Sequence, residues 1–397
     1  MSVPRHRSPG SKPRRGARPA AVLAAAAGAG AAALLVERLR FSRLIRAEVH
    51  PDLRVPCLVV PPAIALGRQL IRAALTAHRP PVLPALPARR AWGPALDLQE
   101  LTAVGPGDAR AVRVVVAADP GTRAAISAGE RAPALLWVHG GGHVLGDADA
   151  EVYRRLARDL GAVAVSVEYR TAFTAPHPAD VDDCWTALDW LLGGGLSGVD
   201  PQRVAVVGES AGGGTAASLV QRVVNSGVRP AAQVLIYPML DDRAARRLRG
   251  ARAPRTRGRI LWSRGLDRLG WAAYLHGRGG AGPRSARPYS VPGRRPDLSG
   301  MPPTWIGVGN LDLFRDDAVA YAGRLRRAGA ECELVVVPSM YHAADRVAPR
   351  ARACATSAAR WSRTCAATWR RARQCLRRER QGARARPPVP ASSKLPF

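Results

Sequence analysis

Six short apolar runs recur along the chain at Leu135–Val138, Ala162–Val167, Val204–Val207, Val234–Tyr237, Trp305–Val308 and Leu334–Val337. Runs of this length suit strands buried on both faces rather than helices, which need longer stretches with a 3.6-residue period. Helical spacing lies between them, near 149–160, 178–192, 212–225 and 315–328. Strands alternating with helices call for crossover connections, and hence for a parallel sheet covered on both sides. Two earlier strand-like runs, near 97–104 and 111–117, are expected to form an antiparallel edge. The expectation is an α/β domain of about 250 residues, a single unit by size, with eight strands flanked by helices.

The remainder of the chain divides around this core. Residues 1–19 are rich in Pro, Arg and Ser and read as disordered. Seventeen Ala, Gly, Val and Leu residues follow, from Ala20 to Val36, after a basic start. Their length leaves a signal, a membrane anchor and a plain Ala-rich helix all open, and with them a cytoplasmic or a membrane-associated location. From Glu37 to His78 two helix-like stretches appear, one marked by Leu66, Leu70, Ile71 and Leu75, and prolines over 79–94 mark a boundary. The expected division is 1–36, 37–90, 91–349 and an Arg-rich extension over 350–397, where Trp361, Cys365 and Trp369 keep helical spacing. Oligomerisation is left open.

Charge would suggest a nucleic-acid partner, since the formal net charge is +30. Its distribution argues otherwise: residues 1–20, 243–259 and 350–397 carry 26 of those charges. The domain itself is nearly balanced, so no specific nucleic-acid partner is expected. Six cysteines show no CxxC pair and no spacing with His that suits a metal. Buried free thiols are the expectation.

Two loops at strand ends carry the chemistry. Gly208-Glu209-Ser210-Ala211-Gly212 stands between an expected strand and an expected helix. Glycines on either side of a serine permit a sharp turn that presents its hydroxyl at a helix N-terminus. His139-Gly140-Gly141-Gly142 ends the strand Leu135–Val138, and consecutive glycines leave N–H groups free to meet an oxyanion. If that loop is exposed, a side chain at Gly141 is expected to depress turnover without costing stability. A serine nucleophile needs a base, and the base an orienting acid. Only His276 and His342 lie beyond Ser210, and of these only His342 follows an expected strand. Asp312 follows the strand Trp305–Val308 in the same way. Loops at one edge of a parallel sheet converge, and the order Ser210, Asp312, His342 is that of α/β-hydrolases.

The stretches LLWVHGGGHVLGD (135–147), RRLARDLGAVAVSVEYR (154–170), VAVVGESAGGG (204–214), VLIYPMLDDR (234–243) and residues 303–342 resemble the hormone-sensitive-lipase-like serine esterases, the bacterial carboxylesterase type within the α/β-hydrolases. The resemblance implies an α/β-hydrolase fold with an N-terminal helical cap over residues 37–90. It implies Ser210 as nucleophile, His342 as general base and Asp312 as its partner, with Gly140, Gly141 and Ala211 forming the oxyanion hole. A small-molecule ester of short to medium acyl chain would be the substrate, and neither cofactor nor metal would be needed. Acyl transfer or amide cleavage by the same triad is the alternative, as is a basic membrane- or polyanion-associating protein built on a hydrolase scaffold.

Departures from the group's pattern are informative. His143 stands where an aromatic or apolar residue is usual, and a packing role is expected for it. Thr171–Ala175 replaces the usual run after Tyr169-Arg170, which puts the packing of that loop in question. An Arg-rich stretch over 243–258 stands where a substrate-side segment is expected. Asp316 and Asp317 are expected to face solvent or cap the following helix. The adjacent pairs Asp182–Asp183 and Asp241–Asp242 are not paired carboxylates, because neighbouring side chains diverge. Glu209 is expected to stabilise the turn.

Overall fold

Valine and alanine fill the central strands, and their side chains are buried on both faces of one eight-stranded sheet. The computed structural model describes residues 36–59, 97–105, 110–148, 151–247, 253–276 and 287–349, with Ala351 and Cys354. The strands are β1 (Asp97–Ala103), β2 (Val112–Ala118), β3 (Ala132–Val138), β4 (Val163–Val167), β5 (Val199–Glu209), β6 (Ala232–Ile236), β7 (Thr304–Gly309) and β8 (Cys332–Val337). Their spatial order is β1-β2-β4-β3-β5-β6-β7-β8. β1 and β2 are antiparallel, as the sequence predicts, and β2 meets β4 antiparallel. The other five pairings are parallel.

The chain reverses its direction of winding at β3, which lies between β4 and β5. Such a switch point leaves a crevice beyond the carboxyl ends of the strands. The register sets Val138 beside Gly208, so the loops that follow β3 and β5 leave the sheet side by side.

Ten helices are described: α1 (36–48), α2 (Pro51–Val59), α3 (Pro120–Ser127), α4 (Glu151–Leu160), α5 (Ala179–Leu192), α6 (Ser210–Asn225), α7 (Ala244–Arg247), α8 (Arg264–His276), α9 (Arg315–Arg327) and α10 (Ala344–Val347). The expected helices appear as α4, α5, α6 and α9, but α6 begins at Ser210, two residues early, because the serine itself opens the helix. Sequence periodicity does not predict α3 or α8. The first is initiated by Asp119, which accepts hydrogen bonds from the N–H groups of Gly121 (2.9 Å) and Thr122 (3.2 Å) ahead of Pro120.

The core is close-packed around Trp137, Trp305, Tyr153 and Tyr321, each fully buried. Burying one such side chain is worth roughly 1.5–3 kcal/mol. α1 and α2 are seated on the loops that leave the sheet. Ile45, Val49 and Leu53 are buried, and the N–H of His50 donates to Ser339 O at 3.0 Å. Glu48 accepts from the N–H of Arg255 (3.0 Å), the N–H of Thr256 (2.8 Å) and the Thr256 hydroxyl (2.6 Å). Burial pushes the Glu48 carboxyl up, but these hydrogen bonds outweigh it and hold the group below its ordinary value.

The apolar run before Val36, residues 60–90 of the expected cap, and the tail beyond Cys354 lie outside the described residues. Among the described residues, no helix is long and apolar enough to cross a membrane. Cys57, Cys184 and Cys354 are buried free thiols and Cys332 a half-buried one, while Cys365 and Cys375 lie outside.

One buried charge couples this packing to pH. Asp267, in the first turn of α8, is wholly buried, and burial pushes its carboxyl up to about 8. Between the ordinary carboxylate range and pH 8 the unfolded chain is ionised there while the folded chain holds the proton. Rising pH therefore favours unfolding across that window and ceases to do so above it. His139 and His143, which burial lowers, oppose this below the ordinary histidine range, so wild-type protein should lose thermal stability most clearly from pH 7 to pH 8, and Asp267→Asn should flatten that slope. Asp317, which burial pushes up to about 7, contributes in the same sense below pH 7 and little above it. Melting temperatures of both proteins across that range check the point.

Candidate active site

The turn from β5 into α6 is possible only because two glycines flank it. A Cβ at Gly208 would overlap the Gly212 carbonyl, and one at Gly212 would overlap the carbonyls of Val138 and His139. The first turn of α6 therefore lies directly on the end of β3. Ser210 takes the strained left-handed conformation at φ 53°, which costs a non-glycine residue of order 1–3 kcal/mol. Its peptide is pinned where the N–H of Met239 donates to Ser210 O at 2.8 Å.

Ser210, His342 and Asp312, drawn from three loops, meet in one continuous chain. Ser210 Oγ lies 3.0 Å from His342 Nε2, and His342 Nδ1 lies 2.8 Å from Asp312 Oδ2. All three are buried, Asp312 completely. The second oxygen of Asp312 accepts from the N–H of Phe314 at 2.9 Å, which fixes the carboxylate plane. An acceptor at Nδ1 places the ring proton there and leaves the Nε2 lone pair toward the serine hydroxyl. His276 is the last residue of α8.

The loops after β7 and β8 are stitched to each other. The N–H of Asn310 donates to Val337 O (3.0 Å), the N–H of Leu311 to Met340 O (3.0 Å), and Asn310 Oδ1 accepts from the N–H of Ser339 (2.7 Å). These bonds fix the distance between Asp312 and His342. Aromatic rings enclose the imidazole: Tyr237 at 4.9 Å and Phe314 at 5.3 Å edge-on, with Trp262 at 6.2 Å. Sequence reasoning missed Asn310, Tyr237 and Trp262. Of these, Asn310 alone left a trace, as a turn-forming residue just past a strand.

The glycine loop after β3 faces the serine. An added Cβ on Gly140 would sit 3.3 Å from the Ser210 Cβ. Among the described residues, the N–H groups of Gly140, Gly141 and Ala211 donate to no other group. His139 anchors the loop from behind: Tyr169 stacks on its ring at 4.1 Å and donates its hydroxyl to His139 O at 2.7 Å. The Thr171–Ala175 departure braces this loop, since the N–H of Ala172 donates to His143 O at 2.7 Å. His143 itself is buried and stacked 3.9 Å from Tyr274, and burial lowers it to about 4. It is a neutral packing residue.

The remaining acids are held in ion pairs. The Glu209 carboxylate accepts from the Tyr237 hydroxyl (3.1 Å) and lies 3.2 Å from Arg346. Asp183 grips Arg170, and Asp182 pairs with Arg222. Asp241 takes Arg243 and Arg247, while Asp242 takes Arg294. Asp316 is half-exposed beside Arg257 and Arg315. Asp317 lies in the first turn of α9, as one of its two expected placements has it, but it does not face solvent: it is buried and bonded to Arg247 at 2.8 Å. Among the described residues, no group of His, Cys, Asp and Glu could hold a metal ion.

Gly141 shows why a glycine stands in the loop. Its φ is +126°, and a Cβ there would overlap the backbone of Leu145, whose N–H closes the turn onto Gly141 O. The loop is half-buried and packed, so the expectation that a side chain would leave stability untouched does not hold. Gly141→Val should lower both kcat and the melting temperature, the former by about 10²–10³ if one oxyanion donor is lost. Kinetics and thermal denaturation of one preparation measure both.

Comparison with known proteins agrees with this architecture. Residues 135–346 match a family model described as alpha/beta hydrolase fold. Carboxylesterase NlhH of Mycobacterium tuberculosis is 37% identical over 222 residues, covering 53% of this chain and 66% of its own length. Esterase LipI of the same species is 35% identical over 218 residues, covering 53% and 65%. The chain thus spans just under two thirds of the curated relatives it matches. Among solved structures, a bacterial heroin esterase superposes with a TM-score of 0.63 at 32% identity, covering 82% of this chain and 98% of that one.

Proposed function

The chain belongs to the alpha/beta hydrolase fold family, and from that premise we propose that it hydrolyses carboxylic esters through an acyl-enzyme on Ser210. The observation that carries this reading is the unbroken chain Ser210–His342–Asp312 set opposite three N–H groups that are otherwise unused. Similarity to named esterases supports it.

In this mechanism His342 Nε2 takes the proton of Ser210 as Oγ bonds to the ester carbonyl carbon. Asp312 holds the ring in the required tautomer and stabilises the imidazolium. The carbonyl oxygen, now negative, rests on the N–H groups of Gly140, Gly141 and Ala211, donors that need no reorganisation where they are fixed in advance. Collapse of the tetrahedral intermediate expels the alcohol with the proton from His342. A water then gives its proton to His342 and attacks the acyl carbon, freeing the acid and Ser210. The chain's own residues supply every step. A cap over residues 37–90, of which α1 and α2 are the described part, favours short to medium acyl chains. An acceptor other than water would make the same intermediate a donor for acyl transfer.

Turnover of p-nitrophenyl butyrate tests the reading. Ser210→Ala should abolish it, and an organophosphate should label Ser210 in the wild-type protein. Asp312→Asn should lower kcat by about 10⁴ through misorientation of the imidazole. Asp316→Asn should stay within a few-fold, since that carboxylate faces Arg257 and Arg315. Substantial activity in the alanine variant would refute the nucleophile assignment, and the reverse ranking of the two acids would refute Asp312.

A further inference from the structure

Arg255, Arg257, Arg259, Arg264 and Arg268 line one open groove of about 600 Å³, and among the described residues no acidic side chain lines it. Three of the five are engaged, Arg264 among them: Arg257 bonds Asp316 at 3.0 Å, and Arg259 lies 3.7 Å from Glu37 with its guanidinium over Phe41. Arg255 and Arg268 are exposed and form no ion pair among the described residues. Glu48 is bonded to the backbone of Arg255 and Thr256 and attracts the Arg255 charge, offsetting part of it, whereas Asp267 is buried and burial pushes its carboxyl up to about 8. The first turn of α8 adds the same sign of potential.

The groove adjoins the catalytic loops. Trp262, one residue before its Ser263 wall, lays its ring against Gly142 and 6.2 Å from that of His342. Arg264 follows two residues later, about 8 Å along the chain. On the other side Arg257 Nε donates to Asn310 O at 3.0 Å, and Gly258 packs on Leu313. Both contacts lie on the loop that holds Asp312. Guanidinium groups match carboxylate and phosphate oxygens with paired hydrogen bonds, and the volume is that of a small-molecule site rather than of a polymer track.

We propose that this groove binds an anionic group carried on the substrate, so that the preferred ester bears a carboxylate or phosphate in addition to the bond that is cleaved. This inference rests on the esterase reading above, and its test separates the two. Mono-p-nitrophenyl adipate is compared with p-nitrophenyl hexanoate to probe the acyl side. On the alcohol side, 4-acetoxybenzoate and 4-acetoxyphenyl phosphate are compared with methyl 4-acetoxybenzoate, which also distinguishes carboxylate from phosphate. Wild-type protein should favour an anionic member by about tenfold in kcat/KM, the effect of one charge-assisted contact, and salt should erode the preference. The double variant Arg255→Gln/Arg268→Gln should abolish the preference through KM and leave the neutral esters within twofold. Equal handling of charged and neutral esters, or a preference that survives the double substitution, overturns the proposal. If no ester is turned over and Ser210 resists organophosphate, the esterase reading is what fails. The groove is then judged by calorimetric titration of adipate, 4-hydroxybenzoate and inorganic phosphate. Binding lost in the double variant upholds an anion site, and no binding removes it. A heparin fragment that binds far more tightly than any of these would replace the small-molecule anion with a polyanion.

Discussion

The structure depends on a contact between backbones. Where α6 begins, Gly212 presses against the last carbonyls of β3 with no room for a Cβ on either flanking glycine of the turn. That approach brings a serine from the end of β5 beside a glycine from the end of β3, two positions separated by some seventy residues of chain. It also holds Ser210 in a conformation it would not adopt alone. The strain is offset by the parallel pairing of β3 with β5 and by burial of the helix that follows. Reactivity and stability therefore meet in the same few atoms, and a methyl group there would disturb both.

The acid and the base depend on a different device. β7 and β8 are adjacent, but adjacency of strands does not fix the loops that leave them. Asn310 does so, bonding Ser339 through its side chain and Val337 through its backbone. The aromatic rings around His342 then restrict the imidazole to one orientation. A turn residue thus sets the separation of Asp312 and His342.

The sheet was legible in the sequence because burial on both faces leaves continuous apolar runs, and the six runs correspond to β3 through β8 with ends shifted by a few residues. The candidate site was legible because its residue types are restricted: glycines where a Cβ cannot fit, and a serine, an acid and a histidine each just beyond a strand. Other features left little local signal. α8 begins in an arginine-rich stretch, and its buried face, Leu266, Trp271, Tyr274 and Leu275, is committed to packing over the loops rather than to the main core. Asp317 read as a solvated helix-start acid because nothing near it in sequence announces Arg247, seventy positions earlier. Asn310 and Trp262 act through partners remote in the chain. Pairings between distant segments are what a one-dimensional pattern omits.

Glu48 joins parts of the molecule that the sequence keeps far apart. It clasps the backbone of Arg255 and Thr256, two hundred positions later. The arginine-bearing segment thus takes its shape from the front of the polypeptide. Trimming the N-terminus through α1 and as far as His50 would release that clasp, and with it the contact of His50 with the loop that carries His342. A shortened chain would then present the arginine-bearing groove in a shape that the intact one does not have.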